Sequence, residues 1–305
     1  MEKKLSVIIP CYNCEKFIEK AINSIFEENK KNIDNMEVLI VNDGSKDNSE
    51  TILNELKDKY LNLKIYKKEN GNWGSVINFV KNNKLTTGKY LSILDADDWY
   101  IKGALEKIWP IFEKNYDLII SEFSKLKKGK QTRNNVGFFR KTGRISKYSA
   151  LTPWSMPLGK FVRNEVFYKT VELREKVSFQ DMILYNEIVF LSEKIFFWNK
   201  SVGVWNLENE GSSTNSPWDK QKIQVFIDNF NYIIGKYKNK AHNGYCLYYY
   251  VNLKKYLKMY DFSIDLKWKD VNLYWLMPII KSFFKFFLFI YLRKHFKNKN
   301  NNKRS

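Results

Sequence analysis

The amino-acid sequence predicts an α/β protein: a mostly parallel, twisted sheet flanked by helices, followed by a helical C-terminal extension. Three observations carry this class. Short apolar runs alternate with segments of helical period from Leu5 to Ile120. Acidic and amide residues gather where the apolar runs end. From Gln221 onward the chain reads as helix, rich in Tyr and Lys.

Leu5-Ser6-Val7-Ile8-Ile9, closed by Pro10, is the pattern of a strand buried on both faces. A loop at Cys11 to Asn13 leads into a helix from Cys14 to Glu28. Phe17, Ile18, Ala21, Ile22, Ile25 and Phe26 form its apolar face, and Glu15, Lys16, Glu19 and Lys20 its polar one. Val38-Leu39-Ile40-Val41 is a second buried strand. The turn Asp43-Gly44-Ser45 follows, then a helix marked by Ile52, Leu53, Leu56 and Tyr60 and capped by Asp47 or Ser49. Leu63 to Tyr66 is a third strand, Val76 to Val80 lies in a third helix, and Tyr90 to Leu94 is a fourth strand ending at Asp95. Such alternation implies right-handed crossovers and a ligand site beyond the carboxyl ends of the strands. Tyr12, Asn13, Asp43 and Asp95 to Asp98 stand in those places. Beyond Asp117 to Ile120, a basic stretch with glycines from Lys125 to Arg144 predicts a hairpin and a mobile loop.

A formal charge of +19 suits three phosphate-rich partners: nucleic acid, an anionic lipid surface or a small diphosphate substrate. Lysines are scattered along the chain among Asn and Ile, so charge alone does not choose. A nucleic-acid reading draws on the charge and on segments such as Tyr245 to Tyr260, but three acids at one strand end would repel phosphate unless a metal intervened. Cys11, Cys14 and Cys246 are too few for a disulfide framework, and no signal-like segment precedes the first strand, so a reducing cytoplasm is expected. The Cys11-x-x-Cys14 pair lacks a second pair of ligands and reads as small residues in a strand-to-helix loop. Neither a G-x-G-x-x-G nor a G-x-x-x-x-G-K-[ST] stretch is present, which argues against a Rossmann dehydrogenase or a P-loop enzyme.

Asp95-Ala96-Asp97-Asp98 crowds three carboxylates directly after a buried strand. Mutual repulsion and desolvation make such a cluster costly, and a cation is the natural compensation. Oxygen-only ligation points to Mn²⁺ or Mg²⁺ held by one or two carboxylates, with water and substrate phosphates completing the shell. The alternative is a solvated acidic turn, with Asp98 capping a helix near Ile101.

Taken together, Ser6-Val7-Ile8-Ile9-Pro10-Cys11-Tyr12-Asn13, Val41-Asn42-Asp43-Gly44-Ser45-Lys46-Asp47-Asn48-Ser49 and Gly88-Lys89-Tyr90 leading to Leu94-Asp95-Ala96-Asp97-Asp98-Trp99 resemble, in order and spacing, family 2 glycosyltransferases with the GT-A fold. The resemblance implies transfer of a sugar, with inversion, from a nucleoside-diphosphate donor, usually a UDP-sugar, to an acceptor hydroxyl. It places Pro10, Tyr12, Asn13, Asp43 and Asn78 on the nucleotide, with Asp43 on the base. Asp95 and Asp97 face the ribose and phosphates, and Asp97 or Asp98 holds the metal. Asn78 matches the end of the family's next segment, while Ile77 and Asn42 stand where Arg and Asp are usual.

Inversion needs a general base for the acceptor hydroxyl. Phe179-Gln180-Asp181-Met182-Ile183-Leu184 resembles the family's base segment with Gln for Glu, which makes Asp181 the base and Glu187 the second candidate. Pro157 to Arg163 resembles the strand entering the acceptor region. Trp205 to Thr214 resembles the closing segment near the diphosphate. Q-x-x-R-W is absent, which favours one sugar per encounter. The domains implied are a catalytic body over 1–218, with a nucleotide-sugar half (1–122) and an acceptor-side half (123–218), and an extension over 219–305. A catalytically inactive, sugar-binding scaffold is the rival within the family, and intact Asp95, Asp97, Asp98 and Asp181 argue against it.

In the extension, Ile280, Phe283, Phe284, Phe287, Ile290 and Tyr291 share a helical face opposite Lys281 and Lys285, and a basic tail follows Leu292. The apolar run is shorter than the ~20 residues of a spanning helix. An interfacial helix on the anionic inner face of the plasma membrane is expected, alongside a glycan or lipid-linked glycan acceptor in surface-glycan synthesis.

Overall fold

A computed structural model of the chain describes residues 3–134, 141–150, 156–212, 215–216 and 219–236. The elements run β1 (Leu5–Cys11), α1 (Ile18–Phe26), β2 (Met36–Asn42), α2 (Ser49–Lys59), β3 (Leu63–Lys67), α3 (Asn72–Asn82), β4 (Tyr90–Ile93), β5 (Trp99–Tyr100), α4 (Ala104–Phe112), β6 (Leu118–Lys127), β7 (Lys130–Asn134), β8 (Gly143–Ile145), α5 (Lys147–Ala150), β9 (Lys160–Arg163), α6 (Asn164–Tyr168), α7 (Gln180–Leu191), β10 (Ile195–Asn206) and α8 (Lys220–Lys236).

One sheet carries the order β3-β2-β1-β4-β9-β6-β10-β5, with β7 on β6 and β8 on β10. From β3 to β4 all pairings are parallel. Leu5, Val7, Ile8 and Ile9 of β1 and Val38 to Val41 of β2 are fully buried, as the continuous apolar runs require. Beyond β4 the sheet is mixed: β9 runs antiparallel to both β4 and β6, while β10 is parallel to β6. The hairpin expected after Ile120 is β6–β7. Its turn residues Lys128 and Gly129 have φ of 52° and 68°, the paired left-handed values of a two-residue hairpin turn that matches strand twist.

Two helix starts differ from the sequence reading. α1 begins at Ile18 because the Cys14 and Glu15 amides are held by Ser49 and Asp47, which bends residues 14 to 17 into turns. α4 begins at Ala104 behind a left-handed Gly103, so Asp98 is not its cap. The catalytic body was expected to end at residue 218. One compact unit runs from Met1 to Lys236 and includes α8, which packs on α7 through Asn229, Tyr232 and Lys236. The second unit, Tyr237–Ser305, including the expected interfacial helix and basic tail, lies outside the described residues. No helix among the described residues is long and apolar enough to cross a membrane.

Candidate active site

The carboxyl ends of β1, β2 and β4 open onto one pocket of about 480 Å³, lined by Pro10, Tyr12, Asn13, Asp43, Asp95 and Asp97. The loops after β1 and β2 are sewn together. The Asn13 amide donates to Ser45 Oγ at 3.1 Å, and the Lys46 amide donates to Asn13 Oδ1 at 2.8 Å. The Asn48 amide returns to Glu15 Oε2 at 2.9 Å. Asn13 itself takes a φ of 47°, which an amide side chain tolerates at a turn. This clamp leaves Tyr12 half exposed over the pocket. Cys11, the last residue of β1, and Cys14 in the loop that follows are both buried with free thiols.

Asp43 is 2% exposed and accepts from Lys68 Nζ at 2.8 Å, from the Gly71 amide at 3.1 Å and from Asn70 Nδ2 at 3.2 Å. These donors fix its carboxylate at the pocket wall. Asn78 is placed differently from its sequence assignment. Its amide clamps Leu173, donating to the carbonyl at 2.8 Å and accepting from the N–H at 2.9 Å, and it does not line the pocket. A buried amide satisfies both of its polar ends best against backbone, and here it ties α3 to the chain leading into α7.

The three acids after β4 part company. Asp95 accepts from the indole N–H of Trp73 at 3.0 Å, and burial together with the Asp97 charge pushes it up to about 7. Asp97, raised by burial, accepts from Asn209 Nδ2 at 2.7 Å. Asp98 is turned inward and accepts from the Asn206 amide at 2.9 Å, while its second oxygen is buried without a hydrogen bond among the described residues. Burial and the neighbouring charges of Asp97 and Asp95 hold Asp98 well above the usual carboxylate range.

No three His, Cys, Asp or Glu side chains among the described residues form a ready cage. Mg²⁺ and Mn²⁺ need only one or two carboxylates plus phosphate oxygens and water, and the orphaned oxygen of Asp98 beside Asp97 is the kind of group a cation satisfies.

A second pocket of about 210 Å³ adjoins the first and shares Asn72, Trp73, Asp95 and Trp205 with it. Its far wall is Phe179, Gln180 and Asp181. Asp181 lies in the first turn of α7, where the helix dipole favours a carboxylate. The turn is braced from two sides. Gln180 accepts from the Arg174 amide at 2.9 Å, and Asn229 of α8 donates to the Phe179 carbonyl at 2.9 Å. Glu187, the second candidate base, is instead tied to Lys236 at 2.6 Å and to Tyr232, joining α7 to α8.

Of the segment from Trp205 to Ser212, Trp205, Asn209, Gly211 and Ser212 stand in the pocket wall, and Asn209 reaches Asp97. Sequence reasoning passed over Trp73, Asn209 and Lys68 as individuals, since each is an ordinary residue whose role is set by a partner far along the chain. A groove of about 610 Å³ between α1 and β5 is larger, but it lies off these strand ends and holds Lys20 stacked on Trp99.

Residues 6–170 match the model of glycosyl transferase family 2. An uncharacterized glycosyltransferase, MG025 of Mycoplasma genitalium, is 37% identical over 255 residues, 83% of each chain. The minor teichoic acid biosynthesis protein GgaA of Bacillus subtilis is 26% identical over 75% of this chain and 53% of its own length. Among solved structures, S. aureus TarS 1-349 in complex with UDP-GlcNAc superposes with a TM-score of 0.63 at 21% identity, over 75% of this chain and 65% of that one. The mannosyltransferase PcManGT of Pyrobaculum calidifontis, in complex with GDP-Man and Mn²⁺, gives 0.58 at 14% identity, over 87% and 77%. The matched motifs are those that build the first pocket, and the curled mixed sheet beneath them is that of the structural neighbours: this chain belongs to glycosyl transferase family 2 and has the GT-A fold.

Proposed function

We propose that this glycosyltransferase moves a sugar, with inversion, from a nucleoside-diphosphate sugar in the first pocket to an acceptor hydroxyl in the second. The observation that carries this is the meeting of the two pockets at Asp95 and Trp73, with the strand-end acids on one side and Asp181 on the other. A donor lying along the first pocket brings its sugar to that junction. Pro10 and Tyr12 offer the flat wall for the base. A carboxylate has about four acceptor positions. Lys68, Asn70, Gly71 and, at 3.5 Å, Ser75 already donate to Asp43, so a base N–H reaching it would share or displace one of these donors. UDP is the nucleotide that the family resemblance favours, and the TarS complex with UDP-GlcNAc is in keeping with it.

Asp97 and Asp98 would hold Mn²⁺ or Mg²⁺, which when bound neutralises the diphosphate as it leaves. Asp181 takes the proton of the acceptor hydroxyl as its oxygen attacks the anomeric carbon from the face opposite the diphosphate. The second pocket is walled by Trp73, Trp205 and Phe179, surfaces on which a sugar ring stacks. A glycan acceptor fits, and the likeness to GgaA supports surface-glycan synthesis. The basic tail after Leu292 would hold the enzyme to the anionic inner face of the membrane, next to a lipid-linked acceptor.

Thermal shift with UDP, GDP, CMP and dTDP, each with and without Mn²⁺, tests the donor reading, because a ligand bound only by the native state raises the melting temperature. A shift with UDP that needs Mn²⁺ and disappears in Asp97→Ala is expected. Equal, metal-independent shifts in wild type and variant would overturn the assignment of this pocket to the diphosphate.

A further inference from the structure

Lys160 is a buried cation with no part in the reaction as described. It begins β9, next to the core residues Phe161 and Val162, and is itself 6% exposed. Its Nζ donates to the Met156 carbonyl and stands 4.7 Å from the centre of the Tyr185 ring. Ile93 of β4 and Leu184 and Ile188 of α7 wall it in. The same walls enclose Asp181 and Trp73 around a cavity of about 20 Å³, room for about one water.

An ammonium is costly to take out of water, and a methionine of similar length would line these apolar walls without that cost. Burial draws the amine down to about 7, and two groups oppose it: Asp181 on α7 and Asp95 after β4. These are the acids that face each other where the two pockets join. The amine is thus set on the inner side of the acceptor-side acid, where the Met156 carbonyl and the Tyr185 ring offset part of the cost of burying it.

We infer that Lys160 is a positioning residue for transfer: lining one small cavity with Asp181 on the inner side of the site, it holds the Asp181 side chain as a carboxylate at the wall of the acceptor pocket. The inference rests on Asp181 being the base. Asp181 lines the same cavity as Lys160, and an opposite charge nearby favours the ionised, proton-accepting form of a carboxyl. Lys160 lines neither the first nor the second pocket, so its loss is expected to act on turnover and to leave donor binding in place.

The test compares Lys160→Met, Lys160→Arg and Asp181→Asn in the full chain. UDP release is followed from whichever of UDP-glucose, UDP-galactose and UDP-GlcNAc the wild type turns over, beside the thermal shift given by UDP with Mn²⁺. Lys160→Met is expected to melt no lower than wild type and to keep the UDP shift and the donor KM. Its kcat should fall at least about 10-fold, within the roughly 100- to 10,000-fold loss of Asp181→Asn, and Lys160→Arg should recover part of it. Wild-type kcat in Lys160→Met overturns the inference, as does a loss matched by equal losses in UDP binding or melting temperature. Should Lys160→Met fail to fold, Lys160→Gln is read against Lys160→Arg by the same criteria. An inactive Asp181→Asn beside an active Lys160→Met sinks only the role of Lys160. An active Asp181→Asn removes the base and the inference with it.

Discussion

The donor side and the acceptor side of this site are held by different means. On the donor side, Tyr12, Asn13, Asp43 and Asp95 to Asp98 follow parallel strands, and short loops bond them to one another within the first hundred residues. On the acceptor side, Asp181 stands on a helix whose first turn is braced by Arg174 and by Asn229 of α8. The first arrangement is backbone geometry that any chain with those loops repeats. The second is packing among elements distant in sequence, where a change far from the pocket can alter turnover while the donor still binds.

The largest expected effect breaks the comparison at its centre. Asp181→Asn keeps the shape of the acceptor wall and removes the base, so kcat should fall by about 10² to 10⁴ with UDP binding intact. Steady-state kinetics beside a UDP thermal shift measures both, and weakened UDP binding would place Asp181 on the donor side instead.

Gly88→Ala probes the donor side through the fold. An added Cβ would sit 2.6 Å from the Ser6 nitrogen and 2.7 Å from the Leu5 carbonyl carbon, both backbone, so β1 and β4 must separate. A loss of about 1–3 kcal/mol in denaturant unfolding is expected, together with weaker UDP binding. Asn229→Ala is the acceptor-side counterpart. It removes the hydrogen bonds to Phe179 and Gln180 at a cost of about 1 kcal/mol, and should lower kcat several-fold at unchanged UDP affinity. If UDP affinity falls as much as kcat, the two sides are mechanically one.

The last prediction is a pH dependence. Asp95 is raised from an ordinary value of 3.8 to about 7, so the unfolded chain releases this proton first as pH rises. Its contribution to stability is therefore present below about 3.8 and is lost as pH climbs through about 7. Asp95→Asn keeps an acceptor for Trp73 and should melt higher than wild type above pH 7 in metal-free buffer, with no gain at pH 4. A constant difference across that range would mean that Asp95 titrates alike in both states.

How much was legible in the sequence follows the same division. Apolar runs and strand-end acids placed β1 to β4 and the pocket residues Pro10, Tyr12, Asp43, Asp95 and Asp97, because a buried parallel strand writes its burial into consecutive residues. Asn78 shows the limit. It lies in the right segment, but its side-chain direction turns on Leu173, a partner that no local pattern names.

By itself, then, the sequence determined the α/β class, the order of the donor-side elements, the acid cluster and the segment holding Asp181. Periodicity and spacing are local properties that need no partner to be expressed. The tertiary structure alone decided that β9 inserts antiparallel between β4 and β6, that α8 braces the first turn of α7, and that Lys160 and Asp181 line one cavity. Those are contacts between residues far apart in the chain. Their energies come from desolvation and charge in a shared interior, which exists only once the chain has closed around it.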